Sequence, residues 1–173
     1  LGGSLFRHKA NYEADILSHN LFETDKPPRQ ADYRATPWAV FTSPQVGHVG
    51  LTEKEVRDKG IKYFCGRYRY SYIAYGMAMG YRDEDGDNGL VKLLLDEQLR
   101  ILGVHIAGFQ AAALVQPFVY LMNAGQPLKD AEAGTLLPLM RSMVIHPTLS
   151  ELAAWSVESI DWQQPIVPRV SQA

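Results

Sequence analysis

Apolar residues recur along most of this chain with a period of two, in short runs closed by Gly, Pro, Asn or Asp, and that pattern predicts strands. Residues 39–42 form a first short run, Ser43-Pro44 a turn, and 45–51 a second extended segment in which Gly47 and Gly50 flank His48 and Val49. Across 61–70 the residues Tyr63, Cys65, Arg67 and Arg69 share one parity and Phe64, Tyr68 and Tyr70 the other. Two strongly apolar runs near 89–96 and 100–108 are joined through residues 96–100, a hairpin. Glycines 47 and 50 mark a close backbone approach or a bulge.

A period of three to four appears elsewhere. Ala10, Ala14, Leu17 and Leu21 predict an amphipathic helix over 6–22 that packs along one face. Thr52-Glu53-Lys54-Glu55 is a capping box opening a short helix that Gly60 ends. Residues 71–80 read as a short helix or an irregular crossing. Residues 111–123 are apolar nearly all round, with Pro117 set to kink that helix or mark its start. Short helices are expected over 127–133 and over 135–143, where Pro138 lies near a first turn. A last helix follows Thr148 and frays near Ile160. Strands followed by helices predict an α+β fold: a mainly antiparallel sheet of about five strands with helices packed on one side.

The 173 residues suit one compact domain with an appendage. Pro27-Pro28 and Pro37, among charges of both signs, mark a linker over 23–37 and put a boundary near Ala35. The expected division is 1–35, a domain over 36–160, and a tail over 161–173. Charge is nearly balanced, 17 basic against 19 acidic residues, so no nucleic-acid or anionic-membrane partner is indicated. With no apolar run near the roughly 20 residues of a spanning helix and no secretory pattern, a soluble, cytoplasmic protein is expected.

The single Cys65 excludes an internal disulfide or dithiol centre and reads as a small apolar packer. The five histidines lack metal-ligand spacing, so no metal site is expected, and His48 reads as structural. Residues 83–89 lack the spacing of a calcium loop and suggest a solvated hairpin. Tyrosines 68, 70, 72, 75 and 81, with Met77 and Met79, suit a core or a subunit interface. No Gly-x-Gly-x-x-Gly, Walker loop or Gly-x-Ser-x-Gly is present.

The chemistry concentrates in residues 144–151, Val-Ile-His-Pro-Thr-Leu-Ser-Glu. Thr148 is a good N-cap, and Thr148 with Glu151 makes a second capping box. Pro147 stiffens the turn and biases His146 towards an extended conformation. Glu151, one turn into the helix, is placed to take the Nδ1 proton of His146 and leave Nε2 free. Ordinary helix capping after an ordinary His-Pro turn accounts for the same residues.

His146-Pro147-Thr148-Leu149-Ser150-Glu151 resembles the signature that closes the FAD-dependent pyridine nucleotide–disulfide oxidoreductases, the family of lipoamide dehydrogenase and glutathione reductase. Residues 89–93 and 101–106 resemble the central hairpin of that family's interface domain, and the resemblance spans roughly residues 5–160. It implies that His146 and Glu151 are a catalytic acid/base pair serving the redox dithiol of the partner subunit in a homodimer.

Residues 6–14 resemble the end of the family's flavin-binding domain and the start of its last helix, so 1–35 would be its tail. His8, Lys9 and Ala10 would then sit at the flavin-facing helix start, although in this chain alone they read as a solvated one. FAD and NAD(P)H would belong to the parent enzyme, on FAD- and NAD-binding domains of the same polypeptide. Neither is expected to bind this fragment alone, which should be inactive. The substrate would be a disulfide or related small molecule. A stand-alone dimerisation or scaffold module is the alternative. A mercuric reductase-like enzyme is disfavoured because the chain ends without paired cysteines, and a His/Glu hydrolase lacks an activated nucleophile.

Overall fold

The computed structural model describes residues 5–125 and 133–168. They fall into two compact units, divided between Thr36 and Pro37. The first is helix α1, Arg7–Phe22, followed by the proline-containing segment.

The stripe expected to pack along α1 does not do so. Ile16 is its only buried residue, and Leu17 and Leu21 are 59% and 58% exposed. A single helix with an extended segment has no second apolar layer to cover such a stripe. Polar bonds hold the unit instead. Asn20 and the Arg29 backbone exchange two hydrogen bonds (2.9 and 2.8 Å), Arg29 pairs with Asp15, and the Tyr33 hydroxyl donates to Glu13 (2.8 Å).

The second unit is built on β1 (Trp38–Val40), β2 (Gln45–Gly50), β3 (Phe64–Arg69), β4 (Leu90–Leu95) and β5 (Ile101–Gly108). All pairings are antiparallel, in the order β1-β2-β5-β4-β3. This is the expected α+β fold with its five-stranded antiparallel sheet. The register sets Trp38, His48, His105, Lys92 and Arg67 in one row across the sheet. The next row, Val49, Val104, Leu93 and Gly66, points to the other face.

On that other face lie α4 (Ala111–Leu114) and α7 (Glu151–Trp155), the latter against β3. Two glycines permit the close approach. A Cβ on Gly47 would stand 2.5 Å from the Ala111 carbonyl oxygen, and one on Gly66 would stand 2.2 Å from that of Ser156. Pro117 divides the expected long helix, separating α4 from α5 (Gln116–Asn123), which begins with that proline in its first turn.

The short α2 (Glu53–Asp58) covers part of the opposite face. Its Val56 forms a core with Tyr63 and Leu94, against which Cys65 packs as expected. The Thr52–Glu55 capping box is complete, and Gly60 follows at φ 66°.

The connection from β3 to β4 is no tight hairpin at 83–89. It carries a 3₁₀ turn, Tyr70–Tyr72, and α3, Ala74–Ala78, before the acidic residues. Tyr70 is fully buried there, its hydroxyl donating to the Phe109 carbonyl (2.8 Å). In the acidic turn Asp83 accepts from Ser71 and Asp85 from the Arg82 amide. The helix expected over 127–133 lies, but for Ala133, outside the described residues. The one expected over 135–143 is the single turn α6, Leu137–Met140.

Residues 161–168, read from the sequence as part of a tail, make contacts with the strand region. Ile166 exchanges two backbone hydrogen bonds with Tyr63, and Trp162 lies against Phe64. With Arg67 N–H donating to Ser159 Oγ (2.7 Å), these contacts satisfy polar groups along β3, an edge of the sheet.

Candidate functional site

After α6 the chain runs through turns to a cis His146–Pro147 bond and then into α7, whose first residue is Glu151. This corrects the expected capping. Ser150, not Thr148, precedes the helix, and it makes no side-chain cap. The Thr148 hydroxyl donates to the Ile145 carbonyl (2.8 Å) instead of accepting the Glu151 amide. Its backbone position explains this, since the hydroxyl reaches back across the tight His146–Pro147 turn. Only half of the box forms: Glu151 Oε2 accepts the Thr148 N–H (2.9 Å).

The consequence is a carboxylate held at both oxygens. Glu151 Oε1 lies 2.7 Å from His146 Nδ1 and also takes the Trp155 indole N–H at 3.3 Å. The Glu151 side chain is 5% exposed whereas that of His146 is 67% exposed. Burial pushes the Glu151 carboxyl up, but the donors from His146, Thr148 and Trp155 outweigh it and leave it below the ordinary value of 4.5. An ionised acceptor at Nδ1 fixes the tautomer that carries its proton there. Among the described residues Nε2 has no hydrogen-bond partner, so it can exchange a proton with a group brought from outside.

The structure therefore brings His146 and Glu151 together. The indole of Trp155 is a further part of the site that the sequence motif does not include. Its place four residues after Glu151 is the spacing that brings two side chains together on a helix, and was the available signal.

His8, Lys9 and Ala10 belong to the first unit, at the start of α1. His8 is exposed and stacks on Phe6. Lys9 pairs with Glu13 (2.6 Å) under the Tyr33 ring. The Ala10 amide already closes the first helical turn on the Phe6 carbonyl (3.0 Å). The first turn has no acidic side chain, and Phe6 caps it without a side-chain acceptor.

A second polar cluster lies on the α2 face, where His48, stacked on Trp38, meets His105 with their Nδ1 atoms 3.0 Å apart. His105 Nε2 lies 3.2 Å from the Leu51 carbonyl, which can only accept, so a neutral His105 donates its Nε2–H there and its Nδ1 accepts the His48 Nδ1–H. Burial lowers both imidazoles, His105 to about 4. Both are neutral near pH 7, as a structural role for His48 requires.

Beside them Glu53 gathers Lys92, Arg57, Arg67 and the Tyr63 hydroxyl along an open cleft of about 470 Å³. Burial opposes ionisation of Glu53, yet those donors hold it down at about 2. No set of three His, Cys, Asp or Glu suited to a metal occurs among the described residues. Burial pushes the Cys65 thiol up, which makes it a poor nucleophile.

Comparison with known proteins assigns the chain. The family described as pyridine nucleotide-disulphide oxidoreductase, dimerisation domain, matches residues 36–157. Mycothione reductase of Mycobacterium tuberculosis is 36% identical over 152 residues, which cover 86% of this chain and 30% of that protein. Mitochondrial dihydrolipoyl dehydrogenase of Schizosaccharomyces pombe is 32% identical, over 91% of this chain and 29% of that protein. This chain thus spans about three-tenths of the length of these relatives.

In fold it resembles the HOCl-induced flavoprotein disulfide reductase RclA of Escherichia coli, with a TM-score of 0.70 at 23% identity, covering 88% of this chain and 32% of that one. It likewise resembles LpdA of Mycobacterium tuberculosis, with a TM-score of 0.73 at 16% identity, covering 91% and 31%. The chain belongs to the pyridine nucleotide-disulphide oxidoreductase family, and residues 36–157 are its dimerisation domain.

Proposed function

We propose that this chain is the dimer-forming part of a flavin-dependent disulfide reductase, and that His146, oriented by Glu151, is the acid/base group for a redox dithiol on the partner subunit. The observation that carries this reading is the 2.7 Å contact between an exposed imidazole and a buried carboxylate that two further donors hold in place.

The chemistry of such a pair follows from its geometry. His146 Nε2 takes the proton of a thiol, and the thiolate attacks a disulfide sulfur. The S–S bond breaks, and the imidazolium returns the proton to the departing thiolate. Glu151 stabilises the imidazolium meanwhile, through the Nδ1–H bond.

In a parent enzyme FAD would carry electrons from NAD(P)H to the dithiol. The residues of this chain that would face it are those at the start of α1, His8 and Lys9, where the absence of an acidic side chain in the first turn suits the developing negative charge on a reduced flavin. The Ala10 amide, already bonded, would contribute less. On this reading the chain alone has no dithiol to work on, since Cys65 is its only cysteine, and it is inactive by itself.

The test is His146→Gln in the full-length reductase. Turnover of the disulfide substrate should fall by about 10²–10⁴, the usual contribution of a positioned acid/base group. Reduction of the enzyme by NAD(P)H without disulfide should keep its rate within about twofold. Equal losses in the two half-reactions would overturn the assignment.

A further inference from the structure

We propose that Trp155 is a positioning residue for the His146–Glu151 pair, its indole N–H sharing Glu151 Oε1 with His146 Nδ1 and setting how strongly that oxygen holds the imidazole. The inference rests on the acid/base reading above and extends it to a residue outside the family's His-Glu signature.

The geometry carries the argument. Trp155 is the last residue of α7, four positions after Glu151, so its side chain falls back over the same helical turn. Its Nε1 is 3.3 Å from Oε1, a longer and neutral bond, against 2.7 Å for His146 Nδ1. Two donors on one carboxylate oxygen compete for its charge density, and each weakens the other's bond. Oε2 does not relieve this competition, because it is occupied by the Thr148 N–H.

From β3, Tyr68 interacts electrostatically with Glu151. Tyr68 of β3 points its hydroxyl to Glu158 Oε2 (3.4 Å), and Tyr72 lies edge-on to Tyr68. Glu158 interacts with Tyr68 through charge as well as through that bond. Removing the indole N–H should therefore strengthen the Glu151–His146 bond and raise the proton affinity of His146.

The test separates the donor from the ring. Trp155→Phe keeps an aromatic ring and removes the N–H, whereas Trp155→Gln removes the ring and keeps a donor within reach of Oε1. The His146 titration midpoint is read by NMR of labelled imidazole in this chain, with thermal melts confirming that both variants fold. Phe should raise the midpoint by about half a pH unit, and Gln should leave it within about 0.2 of the wild-type value.

A Phe variant with the wild-type midpoint, or equal shifts in both variants, would overturn the proposal, because the ring rather than the N–H would then govern the site. In the full-length reductase the acid limb of the pH profile for disulfide turnover should move upward in the Phe variant by the same amount as the midpoint. If His146→Gln left turnover untouched, the acid/base reading would fail while the NMR shift still decided the role of Trp155. If that variant abolished turnover and the Phe shift was absent, Trp155 alone would fall.

Discussion

Glu53 and Glu151 are both carboxylates largely shielded from solvent, yet they use their surroundings differently. Glu151 receives one titratable partner and two fixed N–H groups, so its charge is spent on orientation. Glu53 receives three cations and a phenol, so its charge is spent on tying α2 to β3 and β4.

The folded value of Glu53, about 2, lies below its unfolded value of 4.5. Its stabilisation is therefore fully present above pH 4.5 and is lost as pH falls through 2. Glu53→Gln should cost about 1–2 kcal/mol at pH 7, discounted for solvent screening, and almost nothing near pH 2. Urea melts of the two proteins across that range would check it, and a gap that stayed constant with pH would refute the ionic account.

His105 responds in the same direction for a different reason. Its folded value of about 4 is below the unfolded 6.5 because a charged imidazole there would be buried beside His48. Between pH 6.5 and 4 the unfolded chain binds the extra proton, so stability should fall with pH across that window. His105→Gln should flatten that slope in the same melts.

At the scale of elements, the parts legible in the sequence were those fixed by neighbours a few residues apart. The Thr52–Glu55 box, the Gly60 stop, the break at Pro117 and the hairpin between β4 and β5 all depend on local chemistry, and all are present. Thr52→Ala should remove the hydroxyl that accepts the Glu55 N–H at the start of α2, costing about 1 kcal/mol and lowering Tm by about 2–4 °C in a calorimetric scan.

What depended on distant partners was not legible. His48 and His105 are 57 positions apart, and no spacing rule joins them. Ile166 finds Tyr63 only because β3 is a sheet edge. The apolar stripe of α1 was read as buried from its period alone, but a period gives a face and not a cover. At the site, the His146–Glu151 pairing was legible because the two lie only five positions apart. The role of Thr148 was misread because a tight turn takes its hydroxyl to Ile145.

Gly66 shows how an element carries the site. With the Ser156 carbonyl 2.2 Å and an Ile160 carbon 3.0 Å from where its Cβ would be, Gly66→Ala must lift the chain after α7 away from β3. A loss of about 1–3 kcal/mol is expected. Because Glu151 and Trp155 ride on the same short helix, the His146 titration should shift together with Tm.

For the molecule as a whole, the proposed acid/base role makes the arrangement around His146 incomplete within this chain. The imidazole is oriented by a buried acceptor, yet the only thiol, Cys65, is packed against the α2 core. Met143 and Ile145, on the segment that delivers His146, are 101% and 76% exposed. Two large apolar side chains beside an exposed, oriented imidazole fit the centre of a subunit interface better than a solvated loop.

The homodimer reading makes this quantitative in outline. Light scattering over a dilution series should give twice the chain mass for the wild type. Replacing both Met143 and Ile145 with Glu should shift the chain to monomer with an unchanged far-ultraviolet circular dichroism spectrum, because neither side chain is part of the core. Like charges brought together across a two-fold axis are each met by their own copy, so the double substitution is counted twice at an isologous contact. In the full-length enzyme the same pair of substitutions should depress disulfide turnover as dimer is lost. A charged variant that remained dimeric and active would place the contact elsewhere on the domain and remove these two residues from it.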